Sequence, residues 1–172
     1  MAKLVFVLGG ARSGKSSYAV ELAEKLSRNV AYIATCVHPD PEMKQRIKRH
    51  KKSRPGHWQV VEEGRDISAA LGNIGRQYNV VIIDCLGLLV TNLLLEHFSD
   101  SKILKTLQRT IQGISGHPAA VLVVSNEVGS GIIPDNPLGR RFRDLLGIAN
   151  QMFARKADEV IWMQAGIPVK IK

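Results

Sequence analysis

Short runs of apolar residues recur along the chain and alternate with longer stretches in which polar and apolar residues mix. Apolar runs are typical of strands buried on both faces, whereas longer mixed stretches favour amphipathic helices. The predicted strands are Lys3–Leu8, Val30–Thr35, Trp58–Glu62, Val80–Asp84, Ala119–Ser125, Glu159–Met163 and Pro168–Ile171. The predicted helices are Lys15–Ser27, a polar segment at Pro39–Ser53, Ile67–Tyr78, Lys102–Ile114 and a long helix after Pro137.

This alternation of strands and helices predicts an α/β fold with a mainly parallel sheet and helices on both faces. The 172 residues contain no internal repeat, low-complexity tract or linker, so we expect one domain over residues 1–172. No apolar run approaches the roughly 20 residues that span a membrane. The first apolar stretch is too short for a signal peptide and leads directly into a glycine-rich loop. We therefore expect a cytoplasmic protein without a membrane span.

That glycine-rich loop lies between the first predicted strand and the first predicted helix. Its residues fit the pattern GxxxxGK[ST]: Gly9, Gly10, Ala11, Arg12, Ser13, Gly14, Lys15 and Ser16. Glycines let successive N–H groups point into one concavity, to which the following helix adds its positive end. Lys15 would reach the outer phosphates, and the Ser16 hydroxyl would ligate Mg²⁺. The loop predicts an enzyme that binds the phosphates of ATP or GTP.

A second part of such a site is an acidic residue at the end of a buried strand. Asp84 follows the apolar run VVII and would hold Mg²⁺ directly or through water. The alternative is that Asp84 only caps a turn. Two cysteines, Cys36 and Cys85, also follow predicted strands, and neither belongs to a CxxC pair. We expect free buried thiols rather than a disulfide or a metal site.

The positive charge of the chain is concentrated in one segment. The formal net charge is +9, and residues 44–54 hold seven lysines and arginines with no acidic residue, which leaves +2 for the remaining chain. A protein that binds nucleic acid usually presents a broader basic surface. The local charge is sufficiently explained by a triphosphate, so we do not expect a nucleic-acid partner.

One histidine lies inside this basic segment. On a helix, Met43, Ile47 and His50 share one face, because they are spaced at i, i+4 and i+7. Neighbouring cations disfavour the imidazolium, and a neutral imidazole is a nucleophile suited to attack on a nucleotide α-phosphate. The alternatives are a structural histidine and a solvated basic helix without chemistry.

The segment ends at Arg54, because Pro55 disfavours helical geometry in the residue before it. Arg54 is a candidate clamp for phosphate. His57 and Trp58 are expected to be turn and packing residues, although a tryptophan can also stack on a base.

Six stretches of the sequence form one ordered series from the first strand to the last residue. They are GGARSGKS at Gly9–Ser16, YIAT at Tyr32–Thr35, RIKRHKKSRPGHW at Arg46–Trp58, VTNLL at Val90–Leu94, SNEVGSGIIPDNPLGRRFRD at Ser125–Asp144, and the closing GIPVKIK. Together they resemble the bifunctional adenosylcobinamide kinase/adenosylcobinamide-phosphate guanylyltransferases of cobalamin synthesis. The patterns H-x3-RPxxW and NEVGxGIxP are more specific to that family than the phosphate loop, which many enzymes share.

The resemblance implies two reactions and a RecA-like P-loop NTPase fold, in proteins that form trimers. ATP or GTP phosphorylates the aminopropanol hydroxyl of adenosylcobinamide. GTP then transfers GMP to the new phosphate, giving adenosylcobinamide-GDP and pyrophosphate, through a GMP-histidine intermediate. The histidine that precedes Arg-Pro in the family pattern corresponds to His50. With Lys15, it is the predicted catalytic residue.

The family's nucleotide contacts carry over residue by residue. They correspond to Gly9, Gly10, Ala11, Arg12, Ser13, Gly14, Lys15, Ser16, Ala34, Thr35, Cys36, Lys51, Lys52, Ser53, Arg54, Glu62 and Asp84. Glu127 follows a buried strand and would orient the cobinamide hydroxyl or a metal, unless it belongs to a purely structural loop. Two other functions remain open: a small P-loop kinase acting on another alcohol, which leaves His50 without a task, and a basic nucleic-acid-binding module.

Overall fold

The structure is a computed structural model that describes residues 3–37 and 54–172. The strands in these ranges are β1 (Leu4–Gly9), β2 (Val30–Ala34), β3 (Gln59–Glu62), β4 (Val80–Asp84), β5 (Ala120–Asn126), β6 (Glu159–Gln164) and β7 (Ile167–Lys170). The helices are α1 (Lys15–Leu26), α2 (Ile67–Ile74), α3 (Leu86–Leu95), α4 (Asp100–Gly116) and α5 (Pro137–Lys156). The helix predicted over Pro39–Ser53 lies outside the described residues.

The described strands form one sheet in the order β3-β2-β4-β5-β1-β6-β7. Every neighbouring pair is parallel except β6 and β7, which pair antiparallel. The prediction of a mainly parallel sheet is therefore confirmed. The carboxyl ends of β1 to β6 meet at one edge of the sheet, where ligands bind in open parallel sheets.

Local sequence explains where three of the helices begin and where one of them ends. The side chains of Asp66, Ser99 and Asn136 accept hydrogen bonds from backbone N–H groups in the first turns of α2, α4 and α5. The cap at Ser99 starts α4 two residues before the predicted Lys102. The helix predicted over Ile67–Tyr78 ends at Ile74, because Gly75 has φ 81° and leaves the helical region.

Apolar side chains pack on both faces of the sheet, as the pattern predicted. One cluster joins β1, β4 and β5 to α2, α3, α4 and α5. The second cluster packs α1 against the opposite face and includes Tyr32 and Trp58. No helix within residues 3–37 and 54–172 is long and apolar enough to cross a membrane.

Candidate active site

The glycine-rich loop connects β1 to α1 as predicted, and its lysine lies inside it. Lys15 is 7% exposed, and its Nζ donates hydrogen bonds to the carbonyl of Gly10 at 2.5 Å and to Ser13 Oγ at 3.4 Å. Arg12 and Gly14 have φ 54° and 90°, which curl the backbone before the first turn of α1. The lysine, the curled loop and the helix N-terminus are therefore adjacent, an arrangement suited to an anion.

The turn between β6 and β7 packs against this loop and stabilises it. Ala165 and Gly166 both have positive φ, as a two-residue hairpin turn requires, and Gly166 N donates a hydrogen bond to Ser13 O at 3.1 Å. A Cβ on Gly9 would lie 2.5 Å from Met163 O and 2.7 Å from Ser13 Oγ, so only glycine fits there. No pattern in the sequence indicates that this turn contacts the loop.

Asp84 ends β4 and lies on the same sheet face as Val80 and Ile82, which is the face that α1 covers. β5 lies between β4 and β1, so the strands of Asp84 and of the loop are about 10 Å apart. The Asp84 Oδ2 accepts a hydrogen bond of 2.6 Å from the hydroxyl of Tyr32. Its Oδ1 accepts no hydrogen bond from the described residues. The carboxylate is thus held in place while one oxygen is left for a ligand.

A polar cluster fixes the ends of β2 and β4 relative to each other. Thr35 Oγ1 accepts from Cys85 N at 2.7 Å and donates to Cys85 O at 2.8 Å. Asn92, on α3, donates to Thr35 O at 2.8 Å and to Gly64 O at 3.1 Å. These bonds hold the backbone around the predicted nucleotide contacts Ala34, Thr35 and Cys36.

Neither Cys36 nor Cys85 forms a disulfide bond, as predicted. Cys85 is buried, and burial, followed by the charge of Asp84, raises the pKa of its thiol to about 12. Cys85 is therefore a packing residue and not a nucleophile. Cys36 is only half-buried, which corrects the prediction of two buried thiols.

The remaining predicted acids lie along the same edge. Glu62 ends β3 in register with Ala34 and is exposed. Glu127 follows β5, and its backbone N–H donates to Gly9 O at 2.9 Å. The Glu127 carboxylate accepts from the N–H groups of Gly129 at 2.6 Å and Ser130 at 3.3 Å, which closes its own loop. This bonding suits the structural alternative, and a contact with substrate stays a prediction.

The residues that follow the basic segment are anchored on the α1 face. Trp58 is buried in the core of that face, and His57 Nε2 lies 3.2 Å from Arg28 O, so the prediction of packing and turn residues is confirmed. The guanidinium of Arg54 lies over the ring of Tyr32, 3.6 Å from its centroid. The predicted residues His50, Lys51, Lys52 and Ser53 lie outside the described part of the chain.

Sequence reasoning missed the roles of Tyr32 and Asn92. Both occur inside stretches that carried the resemblance, YIAT and VTNLL, and this was the available signal. A buried tyrosine or asparagine needs a hydrogen-bond partner, but the partner lies 52 residues away for Tyr32 and 57 residues away for the Asn92–Thr35 bond. The pairing of β2 with β4 brings Tyr32 to Asp84, and the packing of α3 beside the end of β2 brings Asn92 to Thr35.

Comparison with solved structures places the fold. Over 93% of its length the chain superposes on a KaiC-like protein from Pyrococcus horikoshii with a TM-score of 0.53, covering 70% of that chain at 14% identity. It superposes on the RadB recombinase with a TM-score of 0.56, covering 93% of this chain and 73% of that one at 17% identity. These likenesses confirm the RecA-like P-loop NTPase fold predicted from the sequence.

Comparison with protein families and characterised sequences gives a closer match. The family model described as cobinamide kinase / cobinamide phosphate guanyltransferase matches residues 5–171. The chain is 39% identical over 181 residues to the bifunctional adenosylcobalamin biosynthesis protein CobU of Escherichia coli, covering 98% of this chain and 99% of that protein. It is 38% identical over 167 residues to the corresponding protein CobP of Pseudomonas aeruginosa, covering 96% and 95%. The chain therefore belongs to the cobinamide kinase / cobinamide phosphate guanyltransferase family.

Proposed function

We propose that this enzyme phosphorylates adenosylcobinamide with ATP or GTP and then transfers GMP from GTP to adenosylcobinamide phosphate. The products of the second reaction are adenosylcobinamide-GDP and pyrophosphate. One observation carries the proposal: in a member of this family, the buried Lys15 and the carboxylate of Asp84 lie at the same edge of the sheet. That edge presents a phosphate-binding loop and an acid together, as phosphoryl transfer requires.

In the first reaction the loop Gly9–Ser16 binds the triphosphate through its N–H groups and the N-terminus of α1. Lys15 already donates its protons inside the loop, to Gly10 O and Ser13 Oγ, and would exchange these partners for phosphate oxygens. Its charge then stabilises the negative charge of the phosphoryl group in transfer. The substrate hydroxyl attacks the γ-phosphorus, and the nucleoside diphosphate leaves.

The residues at this edge suit Mg²⁺. Ser16, in the first turn of α1, offers a hydroxyl, and Asp84 offers a carboxylate oxygen on the α1 face. Among the described residues no group of three or more His, Cys, Asp and Glu side chains could hold a metal. Mg²⁺ does not need such a cage, since it binds through one or two protein oxygens together with waters and phosphates. When bound, it would neutralise phosphate charge.

In the second reaction His50 is the proposed nucleophile. Its nitrogen attacks the α-phosphorus of GTP, the bond to the β-phosphate oxygen breaks, and pyrophosphate leaves. An oxygen of adenosylcobinamide phosphate then attacks the same phosphorus and restores the histidine. The cations of residues 44–54 support the neutral imidazole that this attack needs. Arg54 follows His50 by four residues, a length of chain that reaches at most about 14 Å, and Arg54 is fixed at the Asp84 edge.

The test of the histidine step uses GTP labelled in its α-phosphate. We expect label on the protein that is stable to base and labile to acid, and that is lost in His50→Ala. His57→Ala is the matched control, since His57 is exposed seven residues away and should keep the label. Absence of label on the wild-type protein would instead support a small P-loop kinase that acts on another alcohol.

We propose further that the enzyme is a cytoplasmic homotrimer. We also propose that further contacts with the nucleotides are made by Lys51, Lys52, Ser53, Arg54 and Glu62. Two cysteines outside any disulfide bond suit a reducing compartment. Large apolar side chains remain exposed on the single chain, among them Ile132 at 95% and Ile133 at 66%, which suits burial between copies. Light scattering after size-exclusion chromatography should give three times the mass of the chain, and a monomer would contradict this part.

A further inference from the structure

One buried side chain, Tyr32, contacts both the acid proposed to bind the metal and the arginine that follows the proposed nucleophile. Tyr32 is 2% exposed and projects from β2 on the α1 face. Its hydroxyl donates a hydrogen bond to Asp84, and its ring receives the guanidinium of Arg54 at 3.6 Å. Asp84 is the acid proposed to serve the metal, and Arg54 is the described residue closest in sequence to His50.

The hydroxyl of Tyr32 acts as the donor toward Asp84, because a carboxylate oxygen only accepts. A hydrogen bond from a hydroxyl to a carboxylate is shorter and stronger than one between neutral groups, in agreement with the 2.6 Å observed. The bond therefore fixes the rotation of the Asp84 carboxylate and occupies Oδ2, which leaves Oδ1 for a ligand.

The ring of Tyr32 has a separate task. Arg54 Nη1 is buried and has no hydrogen-bond partner among the described residues. The contact that these residues make with the guanidinium is the face of the Tyr32 ring. A guanidinium over an aromatic face is attracted by the ring quadrupole, and the attraction grows when water is excluded. Four residues later Trp58 packs into the same core as Tyr32. The chain is thus anchored directly after the segment that contains His50.

We propose that Tyr32 is a positioning residue that joins Asp84 and Arg54 into one unit, its hydroxyl orienting the metal-binding acid and its ring fixing the end of the histidine segment. This inference rests on the proposed function. It goes beyond that function because it assigns two separable effects to one side chain that acts through Asp84 and Arg54 and not by contact with the reacting atoms. Removing the hydroxyl should affect metal binding alone, whereas removing the ring should also affect the transfer of GMP to His50.

The first experiment measures metal affinity without catalysis. Binding of Mn²⁺, in place of Mg²⁺, is followed by electron paramagnetic resonance in the presence of a non-hydrolysable GTP analogue. Tyr32→Phe keeps the ring and loses the hydroxyl, and we expect its Kd for Mn²⁺ to rise about 10-fold, as when a partner of a metal ligand is removed. Tyr78→Phe is the control, because Tyr78 is half-buried on the other face of the sheet and should leave the Kd unchanged.

The second experiment measures label from α-labelled GTP on His50 at saturating Mg²⁺. Tyr32→Phe should take up label at the wild-type rate, and Tyr32→Met, which fills the space without a ring, should be slower by about 10-fold or more. Arg54→Met should slow labelling to a similar extent, and the double variant should be no slower than either single one. Such non-additivity is expected only if the ring acts through Arg54.

Three results would overturn the proposal. Unchanged Mn²⁺ affinity in Tyr32→Phe would remove the orienting role of the hydroxyl. If both Tyr32 variants lost Mn²⁺ affinity, labelling rate and melting temperature to a similar extent, Tyr32 would have a purely structural role. Additive effects of Tyr32→Met and Arg54→Met would separate the ring from Arg54. A wild-type protein that takes no label would instead contradict the proposed function, while the Mn²⁺ comparison would still decide the role of the hydroxyl.

Discussion

The two sides of the candidate active site are built from different materials. The loop side, Gly9–Ser16 with the supporting turn Ala165–Gly166, is held mainly by backbone groups and by space that only glycine leaves open. The acid side, Tyr32, Thr35, Asp84 and Asn92, is held by side-chain hydrogen bonds between neighbouring strands and α3. The loop side is therefore local in sequence and easy to recognise, whereas the acid side is assembled from distant residues.

The largest effect should come from the cation of the loop side. Lys15→Met removes the buried ammonium group, and we expect phosphoryl transfer from γ-labelled GTP to fall by about 10²–10³-fold, the usual loss when one charge-stabilising donor is removed. Lys25→Met changes an exposed lysine on the same helix and should keep the wild-type rate. Equal activity in the two variants would mean that the loop is not the phosphate site.

The next largest effect should come from filling the space between the loop and the end of β6. Gly9→Ala places a methyl group 2.5 Å from Met163 O, a backbone atom that cannot turn away. We expect the free energy of unfolding in urea to fall by about 1–3 kcal/mol. Gly10→Ala is the matched control, because a Cβ there meets nothing within 4 Å. If both substitutions were equally tolerated, the turn between β6 and β7 would not be supporting the loop.

On the acid side the corresponding test removes a side-chain bond. Asn92→Ala leaves the carbonyls of Thr35 and Gly64 without this donor, which should cost about 1–2 kcal/mol of unfolding free energy. The exposed Asn73 on α2 provides the control Asn73→Ala, which should leave urea unfolding nearly unchanged. A loss in Asn92→Ala no larger than in the control would show that the strand ends are fixed without this bond.

The smallest effect is expected at His117, which lies away from both sides of the candidate site. His117 precedes β5 at the opposite edge of the sheet, and burial lowers its pKa below 6.5. Below pH 6.5 the unfolded chain therefore binds more protons at this site than the folded one, so the free energy of unfolding should fall as the pH drops. His117→Asn should make urea unfolding less dependent on pH over this range. An unchanged pH dependence would assign the loss to other groups.

The fold was largely predictable because parallel strands buried on both faces are written as short apolar runs. The strand Val80–Asp84 was predicted with its observed bounds, and the six other strands differ from their predicted bounds by one residue at one or both ends. One error arose at Gly75, where a single backbone angle ends the helix. Another arose at Leu86–Leu95, which forms α3 although its hydrophobic residues show no helical period. Neither a positive φ nor a helix that is apolar on most sides can be identified from alternation alone.

The sequence by itself determined the phosphate loop, the acid at the end of β4 and the family, since each depends on residues close together in the chain. Tertiary structure alone decided that the turn Ala165–Gly166 supports Ser13, that Asn92 holds the end of β2, and that Tyr32 lies between Arg54 and Asp84. The physical reason is range: a loop that binds anions is made by consecutive backbone groups, whereas a buried polar side chain is satisfied by whichever strand or helix packs beside it.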